Sequence, residues 1–312
     1  MNAGNNRSLL ERVRKMNSDI AIRPVDPEDA GQYVALMNQQ YGRKKSKAYY
    51  EWSFGRTPQP ACLIGAYRGS ELAAFYGGQI RTLEDNRICA FALDLLVAPD
   101  FRNRGLLFLL DEALTAFARM HHAVMMLTFP NTVGAAALVQ VDSWKQIGIV
   151  PTLYFPGAPG ALLDTDSQKG PNRLAAFKAD TAYQAWRFLS HPEYTYDRVE
   201  GPGGSWAFTK RFTDRARSRE LGDIVYYEVP KQSAEEAQKL FDRAIRYLSE
   251  QGADTITTWA LATTPFYHAA RAAGFQASSE ERAFCFKGLD PGAQALEALI
   301  SWHVMEGDCE IY

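Results

Sequence analysis

A ten-residue apolar run, Ile88 to Val97, leads through Pro99 into the short basic bend Arg102-Asn103-Arg104-Gly105, and the bend opens directly into an amphipathic stretch from Leu106 to Met120. A strand that passes straight into a helix of this kind constrains the chain to a layered α/β arrangement with the apolar strand at its centre. The junction also carries chemistry. The first turn of an α-helix leaves backbone N–H groups without intrahelical partners, and those donors together with the helix dipole favour an anion. Gly105 lets the backbone come close to such an anion. Arg102 and Arg104 add positive charge and forked donors that match phosphate oxygens, so a diphosphate suits the bend.

The surrounding pattern supports an α/β fold with a mixed sheet. Alternation over Ile20–Val25 predicts a strand, and Asp26-Pro27-Glu28-Asp29 opens a helix with Tyr33, Leu36 and Met37 on one face. A second amphipathic segment lies near Ser46–Trp52. Ala61–Tyr67 and Leu72–Ile80 form a predicted hairpin about Arg68-Gly69-Ser70-Glu71. Ala123–Phe129 is a further strand, and Pro130-Asn131 breaks it before a helix expected to run to Gly148. Gly, Pro, Asp and Ser between Gly157 and Pro171 predict a linker. Beyond it, a helix at Phe241–Leu248, a strand at Thr255–Trp259 and a helix at Phe266–Ala273 ending in Gly274 repeat the helix–strand–helix–glycine order of the first half. The expected organisation is a tail over 1–18, a first domain over 19–157 that carries the diphosphate-binding bend, a linker and connecting helix over 158–200, and a degenerate repeat over 201–312.

Composition narrows the function class. Lys+Arg number 34 against Asp+Glu 36, for a net charge of −2, so no basic excess draws the chain to nucleic acid. The four cysteines, Cys62, Cys89, Cys285 and Cys309, make no CxxC pair and have no histidine at zinc-ligand spacing. No apolar run approaches the roughly 20 residues of a membrane span, and the first residues lack an apolar signal core, so a cytoplasmic location is expected.

With these residues in view, the sequence resembles the GNAT superfamily of N-acetyltransferases. Arg102, Gly105 and Leu107 stand at the three defining positions of its Q/R-x-x-G-x-G/A turn, with Leu107 where the family carries Gly or Ala. Phe129-Pro130-Asn131, Trp144–Gly148, Glu51-Trp52, Trp186 and Trp302 are similar to a larger bacterial branch of the same superfamily. The second half resembles a GNAT repeat whose turn, Pro230-Lys231-Gln232-Ser233, has no glycine.

The resemblance implies a tandem GNAT-like fold, acetyl-CoA or another acyl-CoA as donor, a small-molecule amine as acceptor, and a homodimer as a common state. It implies that Leu95, Leu96 and Val97 offer backbone groups to pantetheine along an open strand edge. Arg102, Asn103, Arg104, Gly105, Leu106 and Leu107 would hold the pyrophosphate, and Asn131 would meet the pantetheine arm. Trp144 holds the position where the family often places a tyrosine acid. Asp94, a carboxylate inside an apolar strand, is the candidate base, because such a group needs a partner or a role; a structural pairing is the competing reading. Trp52 and Tyr76 are candidates to line the acceptor pocket. Alternative functions are a longer-chain acyl-CoA or acyl-carrier-protein N-acyltransferase, and a non-catalytic acyl-CoA-binding protein.

Overall fold

The computed structural model describes residues 3–42, 45–141, 143–156, 174–214, 218–230, 232–298 and 302–309. The expected linker, Gly157 to Pro171, lies outside the described residues, as do Arg43, Lys44 and Lys231. The chain forms two compact units that interleave in sequence. Unit 1 comprises 1–147, 178–186 and 285–297, and unit 2 comprises 148–177, 187–284 and 298–312.

In unit 1, strands β1 (Ile20–Pro24), β2 (Ala61–Arg68), β3 (Glu71–Thr82) and β4 (Ile88–Val97) pair antiparallel in sequence order. Helix α4 (Leu106–Met120) then returns the chain so that β5 (Met125–Thr128) lies parallel to β4. The far edge of β5 is closed by residues Cys285–Gly288, from the end of β11 (Gln276–Gly288), antiparallel to it. Helix α4 covers one face. Its Leu114 packs so tightly on Gly78 that a Cβ there would sit 2.4 Å from the leucine Cδ1. The opposite face receives Tyr33 of α2 (Ala30–Tyr41), whose ring meets Phe75 at 4.9 Å between centroids. The N-terminal helix α1 (Ala3–Met16) joins α4 through the Arg14–Glu112 ion pair at 2.6 Å.

Helix α3 (Lys47–Tyr50) continues into a π-helical turn, Glu51–Gly55. The same device recurs as α6 (Thr181–Gln184) followed by a π-helical turn at Ala185–Leu189. Each is capped by a side chain that accepts from an amide three residues on, Ser46 from Tyr49 and Asp180 from Tyr183. After the second copy come β7 (Tyr196–Glu200), β8 (Trp206–Asp214), β9 (Arg219–Glu228), α7 (Ala234–Glu250), β10 (Thr255–Trp259), α8 (Pro265–Ala272) and β11. That order matches β2, β3, β4, α4, β5, α5 (Thr132–Leu138) and β6 (Trp144–Phe155) of the first half. The mixed α/β fold thus carries the same element order twice. In unit 2, β7, β8 and β9 pair antiparallel, β10 lies parallel to β9, and residues 152–155 of β6 lie antiparallel to β10.

One element differs from the expectation. The helix after β5 stops at Leu138, and Trp144–Phe155 is a strand. Ser143, at φ +67°, turns the chain, and the following Ile147, Ile149, Val150 and Thr152 favour extended backbone. Among the described residues no helix is long and apolar enough to cross a membrane.

Candidate functional site

The β4–α4 junction is built from a bulge, a splay and a turn. Opposite Tyr76 of β3, β4 carries two residues, Asp94 and Leu95, because the register runs from Gly77–Leu93 to Phe75–Leu96. Asp94 absorbs the extra residue with φ +51°, a left-handed conformation that Asp tolerates better than most side chains. Pairing with β5 covers only Cys89–Met125, Ala90–Met126 and Phe91–Leu127. The C-terminal half of β4, with Leu95, Leu96 and Val97, therefore lies beyond the parallel ladder.

The chain then makes a single 3-10 turn, Pro99–Phe101, and enters the bend. Asn103 has φ +61° and Gly105 has φ +75°. Such left-handed residues curl successive N–H groups toward a concave side. Ahead of the bend, the Phe101 and Arg102 amides donate to Ala98 and Pro99 carbonyls; after it, the Phe108 amide donates to Gly105 O. Between them, the N–H groups of Asn103, Arg104, Gly105, Leu106 and Leu107 find no acceptor among the described residues. Five consecutive donors are thus available at the start of a 15-residue helix. Arg102 and Asn103 are exposed, and Arg104 and Gly105 are half-buried.

The arginines are already engaged. Arg102 donates through Nη2 to Gln40 Oε1 at 2.8 Å and through Nε to Val97 O at 3.3 Å. Arg104 pairs with Asp19 at 2.8 Å. A diphosphate would compete with a neutral amide at the first and with a half-exposed carboxylate at the second, while the backbone donors stand ready. The glycine has a second reason to be there. A Cβ on Gly105 would lie 3.1 Å from Val13 Cγ2 of α1, so the residue admits that helix against the turn.

The remaining candidates separate. Asp94 is half-buried and accepts from the Tyr33 hydroxyl at 2.7 Å, so the carboxylate has a partner that the sequence did not reveal. Asn131 is exposed and caps α5, accepting from Gly134 N at 2.8 Å. Trp52 is 3% exposed and stacks on Trp186 at 4.8 Å and 14°. Each indole Nε1 donates to the other residue's carbonyl at 2.9 Å. The ring and its donor are both taken up by this packing. Tyr76 is 1% exposed, and burial, followed by the nearby Asp111, raises its hydroxyl well above the ordinary tyrosine range. Neither Trp52 nor Tyr76 offers an accessible surface to an acceptor.

Trp144 is not at the end of a helix. Its Nε1 donates to Asp111 Oδ1 at 2.7 Å, and Lys287 Nζ reaches Asp111 Oδ2 at 2.6 Å. A cavity of about 230 Å³ on the other face of unit 1 is lined by Gln59, Gln79, Arg81, Tyr183 and Trp186 among others. In unit 2 the corresponding helix α7 begins with Ser233 accepting from Glu236 N, and Glu235 and Glu236 occupy its first turn. Two carboxylates there oppose an anion.

The mixed α/β fold agrees with comparisons to known proteins. Residues 30–140 match the acetyltransferase (GNAT) family. The fold is similar to that of Saccharomyces cerevisiae N-myristoyltransferase with bound myristoyl-CoA, with a TM-score of 0.58 and 12% identity over 86% of this chain and 83% of that one. It is similar to a GCN5-related N-acetyltransferase from Anabaena variabilis, with a TM-score of 0.59 and 11% identity over 86% and 72%. Eis1 from Mycobacterium abscessus is also similar, with a TM-score of 0.55 and 13% identity over 89% and 76%. At these identities the likeness is one of fold. No curated protein matches the sequence.

Proposed function

We propose, from the premise that residues 30–140 belong to the acetyltransferase (GNAT) family, that this chain is an N-acyltransferase holding the pyrophosphate of an acyl-CoA on the amides of Asn103 to Leu107. The observation that carries the reading is that run of five unpaired donors between a splayed strand and a helix. Leu95, Leu96 and Val97 would flank the pantetheine arm. The donor is acetyl-CoA and the acceptor a primary amine of a small metabolite or amino sugar.

The thioester supplies an activated acyl group. The neutral amine attacks its carbonyl carbon, the C–S bond breaks, and the thiolate leaves with a proton. The ammonium proton needs a base, and Asp94 is the candidate, on the bulged part of β4 with the Tyr33 hydroxyl donating to one carboxylate oxygen. No covalent enzyme intermediate is needed. The Cys62 thiol is pushed up to about 12 by burial, which makes it a poor nucleophile.

A longer acyl group is the second reading, favoured by the likeness to an enzyme with bound myristoyl-CoA. Titration of CoA, acetyl-CoA and long-chain acyl-CoA by calorimetry, with thiol release measured across an amine library, tests both. Arg104→Ala should weaken CoA by about 10- to 100-fold, the range of a lost charge-assisted hydrogen bond. Absence of CoA binding to the unaltered protein would sink the proposal. Binding without thiol release to any amine would leave a non-catalytic acyl-CoA-binding protein.

A further inference from the structure

Asn17 lies between α1 and β1, is 2% exposed, and touches the candidate cofactor turn although 87 residues separate it from Arg104. Its Nδ2 donates to Val13 O and to Arg104 O, each at 2.8 Å. The second contact fixes a direction. A trans peptide is planar, with its C=O and N–H pointing opposite ways. Holding the Arg104 carbonyl toward α1 therefore turns the Gly105 N–H away from α1, where it finds no acceptor among the described residues. Asn103 and Gly105 both occupy left-handed conformations at φ +61° and +75°, and glycine restricts its own backbone least of all residues. Without a tether, the Arg104–Gly105 peptide can flip and present a carbonyl dipole to a phosphate instead of an amide.

We propose that Asn17 is a positioning residue which selects the amide-out orientation of the Arg104–Gly105 peptide and so prepares the diphosphate cradle; this rests on the acyl-CoA reading above. Asn17 Oδ1 is buried without a donor among the described residues, where the side chain bonds through its amide nitrogen. An aspartate there would turn carboxylate oxygens toward two carbonyls. Helix α1 and Asn17 lie outside the segment, 30–140, that matches the family.

The test is calorimetric CoA affinity in the unaltered full chain and in Asn17→Leu, Asn17→Asp and Arg14→Ala, with the amide shifts of Gly105 and Leu107 followed by NMR during the titration. Arg14→Ala removes the exposed α1–α4 ion pair and loosens the same helix without touching the turn. Asn17→Leu should weaken CoA by at least about tenfold, Asn17→Asp by more, and Arg14→Ala by less than about twofold. The Gly105 amide should lose its CoA-induced shift in Asn17→Leu while Leu107 keeps its own. Equal weakening by Arg14→Ala, unchanged affinity in Asn17→Leu, or a preserved Gly105 shift would overturn the inference. If Asn17→Leu does not fold, Asn17→Ala carries the same expectation. Failure of the unaltered chain to bind CoA would overturn the acyl-CoA reading itself, and this inference with it.

Discussion

Gly105→Ala probes the turn most directly, because two separate costs meet there. The first is conformational: at φ +75°, a residue with a Cβ is strained by about 1–2 kcal/mol. Loss of backbone freedom in the unfolded chain offsets about 0.4–1 kcal/mol of that. The second is steric: the new methyl would stand 3.1 and 3.2 Å from the two Val13 methyls. Overpacking of this kind costs roughly 1–3 kcal/mol. The net expectation is on the order of 2 kcal/mol of lost stability. The two parts can be divided by a double-mutant cycle with Val13→Ala, measured by urea unfolding. Val13→Ala should destabilise by itself, since the residue is 5% exposed. In that background Gly105→Ala should cost about 1 kcal/mol less than in the unaltered chain, leaving the conformational part. A cycle that closes within about 0.3 kcal/mol would refute the contact between α1 and the turn, and a neutral Gly105→Ala would refute the left-handed conformation.

Three further outcomes follow from buried charge. Lys287→Met leaves Asp111, 2% exposed, without its cation and should cost about 3–5 kcal/mol, whereas Lys287→Met with Asp111→Leu should recover most of that in the same unfolding assay. His303 is held neutral by burial, its pKa lowered from 6.5 to about 4, and Nδ1 has no partner among the described residues. Stability from this group is complete above pH about 6.5 and is lost as pH falls toward 4, by at most about 3 kcal/mol, and His303→Phe should flatten that slope. Glu306 is 0% exposed, and burial, then the charge of Asp223, raises its carboxyl well above the usual range. A raised carboxyl loses its stabilising contribution as pH rises above about 4.3, so Glu306→Gln should gain stability relative to the unaltered chain between pH 5 and 8.

Much of unit 1 was legible because its signals are local. Ala61–Tyr67 and Leu72–Ile80 alternate about a glycine turn, and they form β2 and β3 with little change of boundary. Gly105 followed by the apolar stripe of Leu106–Met120 marked α4 to the residue. The helix expected to reach Gly148 was wrong because Val139, Val141 and Trp144 continue an apolar spacing that either element can satisfy, and only pairing decides between them. The start of the second repeat carried a readable signal that was missed: Ser46, Tyr49, Trp52 and Phe54 recur at the same spacing as Asp180, Tyr183, Trp186 and Phe188. Other parts of the site had no such signal. Tyr33 lies 61 residues from Asp94, and Asn17 lies 87 from Arg104, so no periodicity or spacing links them. Trp52 reads as an acceptor-pocket candidate for the same reason, its partner being 134 residues away.

The discontinuity of unit 1 sets an order of events during synthesis. Strand β5 acquires its outer neighbour only with Cys285–Gly288, and Asp111 acquires its ammonium partner only with Lys287. A ribosome adding about 5–20 residues per second needs roughly 15–60 s to reach that point. Until then the nascent chain carries an unpaired sheet edge and an uncompensated acid beneath it, so the half bearing the turn is completed late in translation although most of it is made early.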